Sequence, residues 1–182
     1  MRHAFVDLGA HVGEVSLKFA KQNPGHEIYC VEANKDLIAE IHQKAMQVRR
    51  TFVTMWAAAW VYDGTVDFFE SSSNYAATVV PGKVEHGKWP QINYQSPTAV
   101  PCFDVSQWLL RTFSVADDVT LKMDIEGGEY DILEKMFADR SILLVRRLMC
   151  EWHYDRFPGI GAERHNAVRT RAGAMTELVD WG

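Results

Sequence analysis

Apolar residues recur along this chain in two rhythms, short continuous runs and stretches at helical spacing. Ala4, Phe5 and Val6 form a run that ends at Asp7 and predicts a buried strand. Gly9 and Gly13 lead into a stretch in which Val12, Val15, Ser16, Phe19 and Ala20 mark one face of a helix. Asn23-Pro24-Gly25 supplies its stop signal. A second strand is expected over Glu27 to Val31, closing at Glu32. Asn34 can cap a helix that turns Leu37, Ile38, Ile41 and Ala45 inward, and a third strand follows around Phe52 to Trp56. Strand and helix in strict alternation predict a parallel sheet with right-handed crossovers.

The middle of the chain departs from that rhythm. Tyr62-Asp63-Gly64-Thr65 reads as a turn into a further strand, Val66 to Phe69. The stretch from Ser71 to Pro101 is punctuated by Pro81-Gly82, Gly87, Pro90 and Pro97. Residues 62 to 103 thus form an insertion of strand and loop between the third and fourth strands of the sheet. A connection this long is often functional. Its aromatics Tyr75, Trp89 and Tyr94 suit either anchors for a surface loop or a wall that stacks on an acceptor. The alternation then resumes. Asp104 caps a helix carrying Val105, Trp108 and Leu109, and Val119 to Met123 is the fourth strand. Tyr130 to Phe137 is a helix, Leu143 to Cys150 the fifth strand, and a last helix falls between Ala162 and Leu178.

These elements fit one domain over residues 1–182, long enough to bury a full core. Apolar residues make up 47% and charged ones 24%, the balance of an ordinary globular protein. The net charge of -5, with arginines scattered, argues against a nucleic-acid partner. No signal peptide and no membrane-spanning run are recognised. Cys30, Cys102 and Cys150 each lie in an apolar run, which predicts buried free thiols and a cytoplasmic setting.

In an open parallel sheet a ligand binds beyond the carboxyl ends of the strands, where the strand order reverses. Small residues at Gly9, Ala10 and Gly13 would let a ligand approach the backbone beside a helix start. A dinucleotide site would want a further glycine where His11 and Val12 stand. Asp7 would repel a diphosphate and suit a cationic nucleoside such as S-adenosylmethionine. Glu32, ending the second strand, can accept both hydroxyls of a ribose. Ala57-Ala58-Ala59 leave room for a flat base, with Trp56 or Trp60 beside it.

The segments V-D-L-G-A-H-V-G from Val6 and V-E-A-N from Val31 are joined by W-A-A-A-W-V-Y-D-G-T-V-D-F from Trp56. L-K-M-D-I-E-G-G-E-Y-D-I-L from Leu121 and E-W-H from Glu151 complete the set. In this order they resemble the FkbM-type methyltransferases from about residue 5 to residue 153. The resemblance implies a Rossmann-like class I methyltransferase sheet, S-adenosylmethionine as donor, and O-methylation of sugars or natural-product hydroxyls. By motif, Asp7, Gly9, Ala10, Gly13 and Glu32 resemble the family's cofactor contacts, and Asp124 its acid at the fourth strand end. Compared with the family, an N-terminal extension is lacking and the final antiparallel strand pair is expected to be short or absent.

The candidate cofactor-binding residues are therefore Asp7, Gly9, Ala10, His11, Gly13, Glu32, Ala33, Ala57 and Asp124. An alcohol is a poor nucleophile, so a base should assist it. Asp124 is the first candidate, with Glu151 and His153, two apart at the fifth strand end, turned the same way. No metal ligand is assigned, although Asp124, Glu151 and His153 together could hold a divalent ion. Glu129, in the first turn of its helix, is expected to cap it. The partners expected are a small-molecule or glycan acceptor and a second copy of the chain, with no membrane. Three other readings stay open: an RNA ribose 2′-O-methyltransferase, an NAD-dependent oxidoreductase, and a module that binds cofactor without turnover.

Overall fold

The computed structural model describes residues 1–72, 76–84 and 91–181. The strands of the main sheet are β1 (His3–Leu8), β2 (Glu27–Glu32), β3 (Val53–Trp56), β7 (Asp118–Met123), β8 (Arg147–Glu151) and β9 (Glu177–Trp181). They stand in the order β3-β2-β1-β7-β8-β9, and every neighbouring pair is parallel. A smaller sheet, β4 (Ala58–Trp60), β6 (Thr98–Asp104) and β5 (Gly64–Phe68) in that order, comes from the insertion. The helices are α1 (Glu14–Gln22), α2 (Ile38–Gln47), α3 (Val105–Thr112), α4 (Glu129–Ala138) and α5 (Gly161–Met175). The expected α/β fold with a mostly parallel sheet is what the chain adopts.

Burial on both faces explains why β1, β2 and β7 are nearly unbroken apolar runs. Ala4, Val6 and Leu8 face one core with Val119, Leu121 and Met123, under α3, α4 and α5. Phe5, Ile28 and Cys30 face the other, under α1 and α2. The small sheet is tied down by Lys135 on α4, whose ammonium bonds Asp104 Oδ2 at 2.6 Å and the Val61 carbonyl at 2.6 Å. Asp104 also caps α3, accepting from Gln107 N at 3.1 Å. Asn34 caps its segment as expected, first through a 3-10 turn, Lys35–Leu37. All three cysteines are free and buried. Among the described residues no helix is long and apolar enough to cross a membrane.

Three expectations need correction. Val12 lies in the turn before α1, and Leu17 joins Ser16 and Ala20 on the buried face instead. The fifth strand begins only at Arg147, because Ser141–Leu144 closes into a 3-10 turn with Leu143 N bonded to Arg140 O and Val145 N to Ile142 O. An unbroken apolar run does not tell a strand from a buried turn. The last helix ends at Met175, and Glu177–Trp181 returns as β9, parallel to β8. Its exposed-to-half-buried pattern is that of an edge strand, which carries little apolar signal.

Candidate active site

The chain leaves β1 toward β2 on one side and leaves β7 toward β8 on the other, so the order reverses between β1 and β7. The crevice that this reversal opens is a cleft of about 330 Å³. Its wall includes Gly9 to Val12, Glu32, Ala33, Ala57 to Ala59, Ala77 to Val79, Lys122 and Asp124 to Glu126. The volume is that of a small-ligand site, at the lower end of about 300–1,000 Å³.

Gly9 is required by close contact. Its φ is 76°, and a Cβ there would lie 1.9 Å from the carbonyl oxygen of Asp124. This approach holds the β1 and β7 exits together, with Asp124 N bonded to Leu8 O at 3.2 Å. Gly9→Ala is expected to cost roughly 2–4 kcal/mol, from the left-handed backbone and the clash with main chain. A thermal unfolding midpoint within a degree of wild type would contradict that packing. Gly13, with φ 80°, lies off the wall and lets α1 approach α2, where a Cβ would be 3.3 Å from Ile41 Cα.

Glu32 occupies the place expected of it. Its Oε2 accepts the His11 N–H and its Oε1 the Asn34 N–H, both at 2.8 Å. Burial raises its pKa, while those two N–H groups favour the carboxylate. Each oxygen keeps a lone pair for a ligand hydroxyl. His11, at φ 50°, lines the cleft, and burial lowers its pKa. Trp56 and Trp60, expected beside the base, are not on this wall. Trp56 donates to Ala33 O at 3.0 Å and lies under Lys35.

Asp7 does not face the cleft. It is wholly buried, with Oδ2 accepting from Ser16 Oγ at 2.6 Å and Oδ1 3.0 Å from Lys122 Nζ. The acid expected to repel a diphosphate is therefore neutralised inside the sheet. Lys122, equally enclosed, also donates to the Gly9 carbonyl at 2.8 Å and lies 3.3 Å from Asp124 Oδ2. Burial opposes its charge, but Asp7 and Asp124 outweigh that and raise its pKa. Lys122 was missed in the sequence, and the signal was present: a lysine inside an apolar parallel strand needs a buried partner.

Asp124 stands where β7 ends, on the wall, with burial raising its pKa and Lys122 drawing it down. Glu126 follows at φ 56°. Its Oε2 bonds Lys83 Nζ at 2.6 Å, and its carbonyl accepts from Thr78 Oγ1 at 2.6 Å. These bonds bring Ala77, Thr78 and Val79 of the insertion against the cleft. The insertion does form a wall, but with small residues; Tyr94 instead anchors its own loop, accepting from Lys83 N at 2.9 Å. Tyr75 and Trp89 lie outside the described residues.

Glu129 takes its expected place at the start of α4, where Oε1 accepts from Ile125 N and Oε2 from Gly127 N, both at 3.0 Å. It also holds His153, whose Nδ1 is 2.9 Å from Oε1. Glu151 and His153 do meet, at 3.5 Å. His153 is fully buried, however, and neither residue lies on the cleft wall. Burial disfavours its charge, yet Glu129, Glu151 and Glu126 push the pKa up to about 10. A histidine so placed is not a base poised near neutrality.

No curated protein and no solved structure matches the chain. A family model described as the methyltransferase FkbM domain matches residues 7–175, nearly the whole fold that builds this cleft, and the chain belongs to the FkbM methyltransferase family.

Proposed function

We propose that this methyltransferase uses S-adenosylmethionine and methylates a hydroxyl of a small, carbohydrate-like acceptor. The observation that carries the reading is Glu32, fixed by two backbone N–H groups at the end of β2 and still able to accept from a diol. The cleft has the features the cofactor needs. Gly9 and Ala10 permit close approach, Ala57, Ala58 and Ala59 leave width for an adenine, and the acids at 32 and 124 suit a ligand with net positive charge. When bound, S-adenosylmethionine supplies an electrophilic methyl group on a sulfonium.

The residues of the chain then bind, orient and deprotonate. Glu32 holds the ribose, and the tight Gly9–Asp124 contact fixes the spacing between the two strand ends. Asp124, on the cleft wall, would take the hydroxyl proton of an acceptor held beside the donor's methyl group. Holding oxygen, carbon and sulfur in line supplies much of the acceleration. Carboxylates on the wall at 124 and 126 also suit a polyhydroxylated acceptor.

Glu32→Gln tests the cofactor half of the reading. The amide can satisfy only one of the two N–H donors and offers a ribose one acceptor fewer. Affinity for S-adenosylhomocysteine is expected to fall roughly 10–100-fold, the loss of a charged hydrogen bond. Unchanged affinity in a folded variant would sink that role. The acceptor half is tested by following labelled methyl groups from S-adenosylmethionine into pools of sugars, other alcohols, amines and RNA. Label in an ether of a sugar or small alcohol is the expected outcome; label only in amines or RNA overturns it.

A further inference from the structure

His153 brings a buried nitrogen to a cluster of acids, and nothing in the reading above uses it. Its Nδ1 is turned to Glu129, which is itself fixed by two backbone N–H groups. That bond makes Nδ1 the donor to Glu129 and turns Nε2 toward the other acids. There it meets Glu126 Oε2 at 3.4 Å, Glu151 Oε1 at 3.5 Å and Asp124 Oδ1 at 3.9 Å. His153 has no exposed surface, and among the described residues Nε2 makes no hydrogen bond. A buried nitrogen facing three carboxylates calls for a cation between them, a proton on the ring or a metal ion in its place.

We infer that Asp124, Glu126 and His153 form a site for a divalent metal ion of the Mn²⁺ or Mg²⁺ class at the edge of the cleft. One ligand atom from each lies within 4.8 Å of the others. An octahedral ion with bonds of about 2.1 Å spaces neighbouring ligand atoms about 3.0 Å apart, so modest side-chain movement closes the set. One imidazole with carboxylates suits Mn²⁺ well and Mg²⁺ less well. The Glu129–His153 pair supplies the outer carboxylate that orients a ligating histidine.

The charges point the same way. Among the described residues, Asp7, Asp124, Glu126, Glu129 and Glu151 face Lys83, Lys122 and Arg156. Two negative charges remain around the neutral ring; a proton on Nε2 cancels one, a divalent ion both. Lys83 competes for Glu126, bonding the same Oε2 at 2.6 Å, which keeps the site weaker than an uncontested acidic cage. Asp124 and Glu126 line the cleft, so the open coordination positions face it. Resting on the methyl-transfer reading, the ion would coordinate the acceptor hydroxyl and lower its pKa, with one Asp124 oxygen binding the ion and the other taking the released proton.

The test is a titration of chelator-treated full chain with Mn²⁺ alone, followed by electron paramagnetic resonance. One Mn²⁺ per chain is expected, displaced by excess Mg²⁺, with spin-echo coupling to an imidazole nitrogen. His153→Gln and Glu126→Gln should each weaken uptake at least about tenfold. Asp118→Asn should not; it alters the other cluster of possible ligands, with His3 and His26, at the far end of the sheet. No stoichiometric uptake, uptake without nitrogen coupling, or uptake that survives His153→Gln overturns the site, as does uptake abolished by Asp118→Asn. If the variants fail to fold, nitrogen coupling that persists in Asp118→Asn supports the site, and coupling lost there overturns it. S-adenosylhomocysteine binding, measured on the same samples, reports on the cofactor reading independently of the ion.

Discussion

Lys122→Met is expected to destabilise the fold by about 3–5 kcal/mol, the cost of leaving a buried charge without its partner. Asp7 has no exposed surface, and only Ser16 would remain bonded to it once the ammonium is gone. The Gly9 carbonyl loses its donor in the same step. For a domain of this size, each kcal/mol moves the unfolding midpoint by about 2–4 °C, so a fall of roughly 6–20 °C is anticipated. The double variant Asp7→Asn with Lys122→Met should recover much of the loss, since an amide at position 7 can still accept from Ser16. A single variant within about 0.5 kcal/mol of wild type, the range of ordinary surface changes, would show that the pair is not the anchor of the β1/β7 exit.

Asp124→Asn is expected to reduce turnover by about 10²–10⁴-fold, the usual contribution of a positioned base. Asparagine matches the carboxylate in shape but cannot take a proton. Burial raises the pKa of Asp124 against the pull of Lys122, which makes its carboxylate a stronger base than an exposed one. The check is single-turnover kinetics with cofactor bound, beside calorimetry with S-adenosylhomocysteine. A large loss of rate with binding nearly retained supports the assignment. Full turnover in the variant removes Asp124 from the chemistry.

Much of this site is legible in the sequence, for identifiable reasons. The strand ends at Glu32 and Asp124 follow from apolar runs that stop at an acid. Gly9, Ala10 and Ala57 are visible as small residues at strand exits, and all of them line the cleft. What the sequence conceals is which way an acid at a strand end turns. Asp7 sits beside Lys122 because β1 and β7 pair in that register, across more than a hundred residues of chain. Strand pairing of that range leaves no local pattern. His153 misleads in a similar way, since its spacing from Glu151 places both on one side but says nothing of Glu129 beneath. Lys83 is harder still: it is a polar residue in a loop rich in Pro and Gly, and only the folded insertion brings it to Glu126.

A crystal structure grown with S-adenosylhomocysteine tests the account most directly. The nucleoside is expected in the cleft between the β1 and β7 exits, its ribose diol on the Glu32 carboxylate and its sulfur toward Asp124. A ligand bound elsewhere, or one whose ribose makes no contact with Glu32, would contradict it.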